Sequence, residues 1–225
     1  NLAEKLAGSI ALGTGQFCTN PGFIVFCDPK TKSNIVSQVG QKLSEISLPP
    51  MVHTNIEKNY LQQLDKFKKN SEVNLSTSLK NNSAIGLISA ESLIKNQQLS
   101  DEVFGPFSLF VHCRSLNEMK EAATILPGQL TGTLLSQKEE YSELNSLVTV
   151  LKNKVGRLIF EGVPTGVAVI GAMQHGGPYP ASTDARYTSV GTDAIYRWLR
   201  PVAFQDCPNQ LLPPALQNEN PLGLN

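Results

Sequence analysis

The chain has 225 residues, 40% of them apolar and 17% charged, which supplies a continuous core and excludes intrinsic disorder. Lysine plus arginine equals aspartate plus glutamate at 19 each, so no net field recruits nucleic acid or an acidic membrane surface. No apolar run approaches the roughly 20 residues of a membrane-spanning helix, and the first residues lack the basic-then-apolar order of a secretory signal.

In chain order, Leu2, Leu6 and Ile10 recur four apart with Ala3, Ala7 and Ala11 beside them, and Asn1 with Glu4 has the form of a helix cap, so residues 2–12 are expected to be helical. Gly13, Gly15, Pro21 and Gly22 break that pattern before Phe23-Ile24-Val25-Phe26-Cys27, whose β-branched and aromatic content suits a buried strand. Amphipathic helices follow, with one face marked by Ile35, Val36, Val39, Leu43 and Ile46. A second face, after the Pro49-Pro50 break, is marked by Ile56, Tyr60, Leu61, Leu64 and Phe67. Residues 84–89 and 107–113 read as strands, 116–126 as a helix and 130–136 as the next strand. A helix bearing Leu144, Leu147, Val148 and Leu151 leads to a strand at 156–160. Strands separated by helices cannot be joined as tight hairpins, so the expected class is α/β, a largely parallel sheet flanked by helices. From Pro164 onward glycine, proline, serine and threonine crowd the chain, which reads as a loop-rich wall. A short helix, a strand-like stretch at 201–205 and an aperiodic tail follow.

Cys18, Cys27, Cys113 and Cys207 are too few and too far apart for a disulfide framework. His53, His112 and His175 are scattered beyond metal-ligand spacing. A reducing, cytoplasmic compartment is the expectation. Three segments could carry chemistry. Gly15-Gln16-Phe17-Cys18-Thr19-Asn20-Pro21-Gly22 puts a thiol in a tight loop between helix and strand. There, turn N–H groups can stabilise a thiolate and then an oxyanion; a small buried filler fits the same residue equally well. Gly13-Thr14-Gly15 follows a helix and lacks a third glycine, which rejects a dinucleotide fingerprint. Ser100-Asp101-Glu102-Val103-Phe104-Gly105-Pro106 offers a carboxylate for a sugar diol and a ring for a flat heterocycle, or simply a solvated loop tip. His175-Gly176-Gly177-Pro178-Tyr179-Pro180 specifies a rigid loop, in which His175 is an acid-base group or a hydrogen-bonded loop histidine. Cys27, Cys113 and His112 fall on apparent strands and are assigned to packing.

Taken together, Gly15-Gln16-Phe17-Cys18, Glu102-Val103-Phe104-Gly105-Pro106 and His175-Gly176-Gly177-Pro178 resemble, in this order, the catalytic half of the aldehyde dehydrogenase superfamily, and the resemblance covers almost the whole chain. Cys18-Thr19-Asn20-Pro21-Gly22, Pro164-Thr165-Gly166-Val167, Arg200-Pro201-Val202 and Asn220-Pro221-Leu222-Gly223 are similar to the branch of α-ketoglutaric semialdehyde dehydrogenases, with part of the pattern shared by bacterial fatty aldehyde dehydrogenases. The resemblance implies an NADP- or NAD-dependent oxidation of an aldehyde. Cys18 would be the nucleophile, with its backbone N–H as half of an oxyanion hole, Glu102 would hold the nicotinamide ribose, and Phe104 would flank the nicotinamide. It further implies a catalytic domain over 1–198 and an oligomerisation strand and tail over 199–225. The family's cofactor-binding domain, which carries the general base, is absent from these residues, so the chain alone is expected to be inactive. Glu161 stands where relatives commonly have asparagine. Arg157 and Arg186 are the candidates to bind a second carboxylate on the substrate. Two other readings compete: cysteine acyl transfer with His175 as base, requiring a thiolate-imidazole pair within about 3 Å, and a non-catalytic assembly module.

Overall fold

The Asn1 side chain accepts the Ala3 N–H at 3.1 Å and starts helix α1 (Leu2–Ala11). In the computed structural model, which describes residues 1–27, 29–164 and 166–224 and only the backbone of 29–33, this helix buries Leu6 and Ile10 together with Ala3, Ala7 and Ala11. Leu2 is exposed, so the buried stripe is displaced toward the alanines. Their small side chains let α1 lie close on α2 (Pro29–Glu45), which contributes Val39 and Leu43 to a shared core.

Strand β1 (Phe23–Phe26) and helix α3 (Thr54–Lys69) lead to β2 (Asn74–Thr77), β3 (Ala84–Ser89), the short helix α4 (Ala90–Lys95) and β4 (Phe107–His112). These strands form a sheet of order β1-β4-β3-β2, parallel from β1 to β3 and closed by the antiparallel edge strand β2. The strands alternate between two cores, as a sheet covered on both faces must. Ile24, Phe26, Ile85 and Phe110 meet α1 and α2, whereas Val25, Ala84, Leu109 and Val111 meet Tyr60 and Phe67 of α3 and Leu93 of α4. Helix α5 (Leu116–Ile125) adds Ala122 to the second core. Then β5 (Gln129–Leu134), α6 (Tyr141–Lys152) and β6 (Val155–Phe160) form a parallel β-α-β unit whose two strands make a separate sheet. The α/β class expected from the alternation is the class observed.

Three local features differ from the sequence reading. Strand β2 and helix α4 were not anticipated, because the first is four mostly polar residues and the second is six residues continuing directly from a strand. The stretch 201–205 forms no strand with any described part of the chain, since an isolated extended segment has no ladder to join. Glu161 ends β6 with φ +58 and accepts the Tyr141 hydroxyl at 2.9 Å. This is a backbone region that asparagine tolerates better. Thr165 of the Pro164-Val167 motif and Asn225 of the tail lie outside the described residues.

Candidate active site

Helix α1 ends in a left-handed turn: Gly13, Thr14 and Gly15 have φ of +58, +58 and +71. Thr14 is β-branched, and its presence in that region marks local strain. Its hydroxyl donates to Pro49 O at 2.8 Å, which ties the turn down. The turn presses Gly15 against the other functional loop, where a Cβ on Gly15 would stand 2.0 Å from the Gly105 carbonyl carbon. Gln16 then bridges outward, donating to Gly13 O at 2.9 Å and accepting the Val52 N–H at 3.0 Å. Asn20 N–H donates to Phe17 O at 2.9 Å, closing a turn with Cys18 near its tip. Cys18 is exposed, which removes the buried-filler reading.

Glu102 and Phe104 sit on the loop between a short turn at Gln97–Ser100 and β4. The base of this loop is fixed by Tyr60, whose ring lies against Gly105 and whose hydroxyl donates to Asn82 O at 2.8 Å. Burial holds the Tyr60 phenol far above its ordinary range, so it acts only as a neutral strut. Asn20 joins the two loops: its side-chain N–H groups donate to Gly15 O and to Gly105 O, each at 3.0 Å. Nothing in the local sequence points to this clamp, since its two acceptors, Gly15 and Gly105, lie far apart in chain order. Asn20→Ala is expected to destabilise the chain by about 1–3 kcal/mol, because two partly buried carbonyls lose their donor. Asn20→Asp should be no better, since a carboxylate would face two carbonyl oxygens. A urea denaturation series on the three proteins measures both.

The result is one open cleft of about 800 Å³ lined by Cys18, Glu102, Phe104, Leu130, Pro180 and Ala181 among others. The three residues singled out from sequence therefore border one cleft. Phe23, Phe107 and Gln129 also line it, which places the cleft at the amino ends of β1, β4 and β5. Parallel sheets usually bind ligands at the carboxyl ends, so fold position alone would have directed the search to the wrong side.

The remaining candidates lie elsewhere. His175 is buried and is not part of the cleft lining; its carbonyl accepts from Ser189 N–H and hydroxyl, and its N–H donates to Thr188. Desolvation, with Arg157 nearby, pushes its imidazole below the usual value; because His175 is buried and outside the cleft that Cys18 lines, the His175-assisted acyl-transfer reading loses its base. Arg186 donates to Asp184 at 2.6 Å on the surface, holding that carboxyl at about 2. Arg157 reaches Met173 Sδ at 3.6 Å. Neither arginine lines the cleft. Cys113 is buried, and desolvation pushes its thiol up to about 12. Iodoacetamide at about pH 8 is therefore expected to label Cys18 well before Cys113, which stays a neutral thiol; peptide mass spectrometry over a labelling time course gives the order.

No family model matches the chain. Over 99% of its length, however, it is 37% identical to alpha-ketoglutaric semialdehyde dehydrogenase 2 of Azospirillum brasilense, and over 98% it is 34% identical to the alpha-ketoglutaric semialdehyde dehydrogenase of Acinetobacter baylyi. Over nearly its whole length, then, the chain is similar to aldehyde dehydrogenases. It spans 44% of the length of each of these two relatives. Its fold matches that of the aldehyde dehydrogenase KauB from Pseudomonas aeruginosa, with a TM-score of 0.69 over 87% of this chain and 41% of that one at 16% identity. A 1-pyrroline-5-carboxylate dehydrogenase variant from Thermus thermophilus gives 0.67 over 87% and 39% at 21% identity. Among the described residues, no helix is long and apolar enough to cross a membrane.

Proposed function

We propose that this chain is the catalytic part of an NAD(P)-dependent aldehyde dehydrogenase acting on α-ketoglutaric semialdehyde, with residues 1–198 forming the catalytic unit. The observation that carries the reading is the convergence of exposed Cys18 with Glu102 and Phe104 on one cleft. The Cys18 sulfur, as thiolate, adds to the aldehyde carbon, forming a C–S bond and an oxyanion that the Cys18 backbone N–H helps to hold. Loss of hydride from that carbon leaves a thioester. Attack by water then breaks the C–S bond, releasing the carboxylate and returning the thiol. The cleft is large enough to admit a nicotinamide riboside beside Cys18. Glu102 would accept from the ribose hydroxyls and Phe104 would flank the ring, and NADP or NAD, when bound, supplies the hydride acceptor.

The substrate assignment rests on the two curated relatives, because among the cleft-lining residues no lysine or arginine is available to a distal carboxylate. The test is a chimera in which this chain replaces the matching stretch of the Azospirillum brasilense enzyme. NADP reduction with α-ketoglutaric semialdehyde should exceed that with a long aliphatic aldehyde, and the reverse order would turn the assignment toward fatty aldehydes. The 225 residues alone should reduce no NADP, since neither water activation nor cofactor retention is provided by the described cleft alone.

Residues 199–225 are proposed as an oligomerisation arm. Trp198, Leu199, Val202 and Phe204 are exposed large apolar side chains in succession, a stretch suited to pairing with another subunit. Sedimentation of the chimera with and without 199–225 should show a smaller assembly after truncation. The four cysteines form no disulfide, in keeping with the reducing, cytoplasmic setting proposed for the protein.

A further inference from the structure

Phe26 of β1 and His112 of β4 stand opposite each other in the parallel register, with their ring centroids 5.4 Å apart. One step further along both strands come Cys27 and Cys113, and Cys113 N–H donates to Phe26 O at 2.8 Å, so the two chains still run side by side there. Successive side chains point to opposite faces of a sheet. Phe26 and Phe110 belong to the core under α1 and α2, whereas Val25, Cys27, Leu109, Val111 and Cys113 belong to the core under α3 and α4. Both thiols therefore point from adjacent strands into the same core. Neighbouring strands lie about 4.7–4.9 Å apart, inside the roughly 4.4–6.8 Å between Cα atoms that a disulfide spans.

A second observation concerns the sulfurs themselves. Burial first, then the Glu118 carboxylate and Cys27, push the Cys113 thiol up to about 12, and one thiolate acts on another thiol in this way only at short range. Their access to solvent differs, since Cys113 is buried and Cys27 only partly so. Both lie one residue beyond the last paired positions of the β1–β4 ladder, where the main chain can draw in without breaking the pairing behind it. Neither lines the cleft that holds Cys18.

We propose that Cys27 and Cys113 form a reversible dithiol–disulfide site that reacts with hydroperoxides, independently of the reaction assigned to Cys18. Cys27, the more accessible of the two, attacks one oxygen of hydrogen peroxide as its thiolate. The O–O bond breaks, hydroxide leaves, and Cys27 becomes a sulfenic acid. The Cys113 sulfur then displaces the sulfenic hydroxyl, forming the S–S bond, and the Cys113 proton leaves with that hydroxyl as water. With the proton that Cys27 gave up at the start, the peroxide ends as two waters and the two thiols have lost two electrons. A small thiol reductant returns the pair to its starting state. The bond ties together the carboxyl ends of β1 and β4, whose amino ends carry the loops of Cys18 and Glu102, so it clamps the frame of the site without entering the cleft. Cys18 is the only cysteine among the cleft-lining residues, so the same oxidant takes it past the sulfenic stage with no neighbouring thiol to intercept it.

The test exposes the folded 225-residue chain to hydrogen peroxide, alkylates the remaining thiols in denaturant and maps the peptides without reduction. A peptide linking Cys27 to Cys113, lighter by two hydrogens than the sum of its two thiol halves, should accumulate, and dithiothreitol should reverse it. In Cys113→Ser, Cys27 should instead gain two oxygens as a sulfinic acid, because its resolving partner is gone. In Cys27→Ser, Cys113 should stay reduced, being reached only through Cys27. The linked chain should melt about 4 °C or more above the reduced one, since the bond closes a long loop in the unfolded state. Recovery of both Cys27 and Cys113 as alkylated thiols after Cys18 has been oxidised overturns the proposal. So does a link that forms only in denaturant, or one that joins Cys27 to Cys207 or to a second chain. A linked chain that melts no higher than the reduced one would remove the clamping role.

Discussion

Cys18→Ala is expected to abolish aldehyde oxidation by the chimera, lowering kcat by on the order of 10⁴-fold or more, as removal of a covalent nucleophile does when the other catalytic groups depend on it. The loss is this large because Cys18 is the only thiol among the residues lining the cleft. The charged residues of its lining are Asp101 and Glu102, both exposed, and Phe104 contributes only surface. The same substitution should hardly move stability. Cys18 is exposed and its side chain makes no packing contribution to either core, so the change belongs with surface replacements worth within about 0.5 kcal/mol. A steady-state assay of the chimera, paired with urea denaturation of the 225-residue chain, separates the two effects. An equal fall in stability and activity would assign Cys18 a structural role, and retained turnover would remove it from the reaction.

The separation is possible because the site is assembled from loops that a rigid sheet holds from below. Ser108, at the start of β4, donates to Pro21 O at 2.6 Å, and Leu109 N–H reaches Gly22 O at 2.9 Å. The loop carrying Cys18 is thereby fastened at its carboxyl side to the same strand that continues from the Glu102 loop. One central strand thus sets the distance between both functional loops, and mutation of an exposed tip leaves that frame intact.

This arrangement also explains what the sequence could and could not reveal. Apolar periodicity located α1, α3, α5 and α6, because each presents one face to a sheet, and the runs of β1, β3 and β4 stood out because both their faces are covered. Periodicity carries no information on lateral neighbours. It therefore could not show that β1 and β5 belong to two separate sheets. Cys18, Glu102 and Phe104 were found through their motifs, whose residue types have few other uses in combination. Asn20 was not, because its role is a contact between Gly15 and Gly105, and nothing in Thr-Asn-Pro names a distant acceptor. Arg157 and Arg186 were chosen for charge alone, but charge without position does not say which face of a strand or which loop tip a side chain occupies.

Gly15→Ala is expected to be the most damaging conservative substitution in the chain, destabilising it by about 3 kcal/mol or more through two separate costs. The first is conformational: φ of +71 lies in the left-handed region, where a Cβ costs roughly 1–2 kcal/mol. The second is steric, and it cannot be relieved by a side-chain rotation. The added Cβ would stand 2.0 Å from both the carbonyl carbon and the oxygen of Gly105 and 2.4 Å from Pro106 N, all of them backbone atoms, and forced backbone shifts of this kind typically add about 1–3 kcal/mol. Relief must come from parting the two loops. Gly15 O and Gly105 O then separate, and the Asn20 amide that bridges them at 3.0 Å on each side loses at least one acceptor. Gly13→Ala provides the control. Its φ of +58 imposes the same kind of conformational cost, but nothing lies within 4 Å of its Cβ position, so it should lose only about 1–2 kcal/mol and leave the cleft unchanged. Urea denaturation of the two variants should rank them in that order, and in the chimera Gly15→Ala should raise KM for NADP while Gly13→Ala leaves it near the starting value. Equal losses for the two glycines would mean that the loops are not in contact at Gly15, and the convergence of Cys18 and Glu102 on one cleft would then need another explanation.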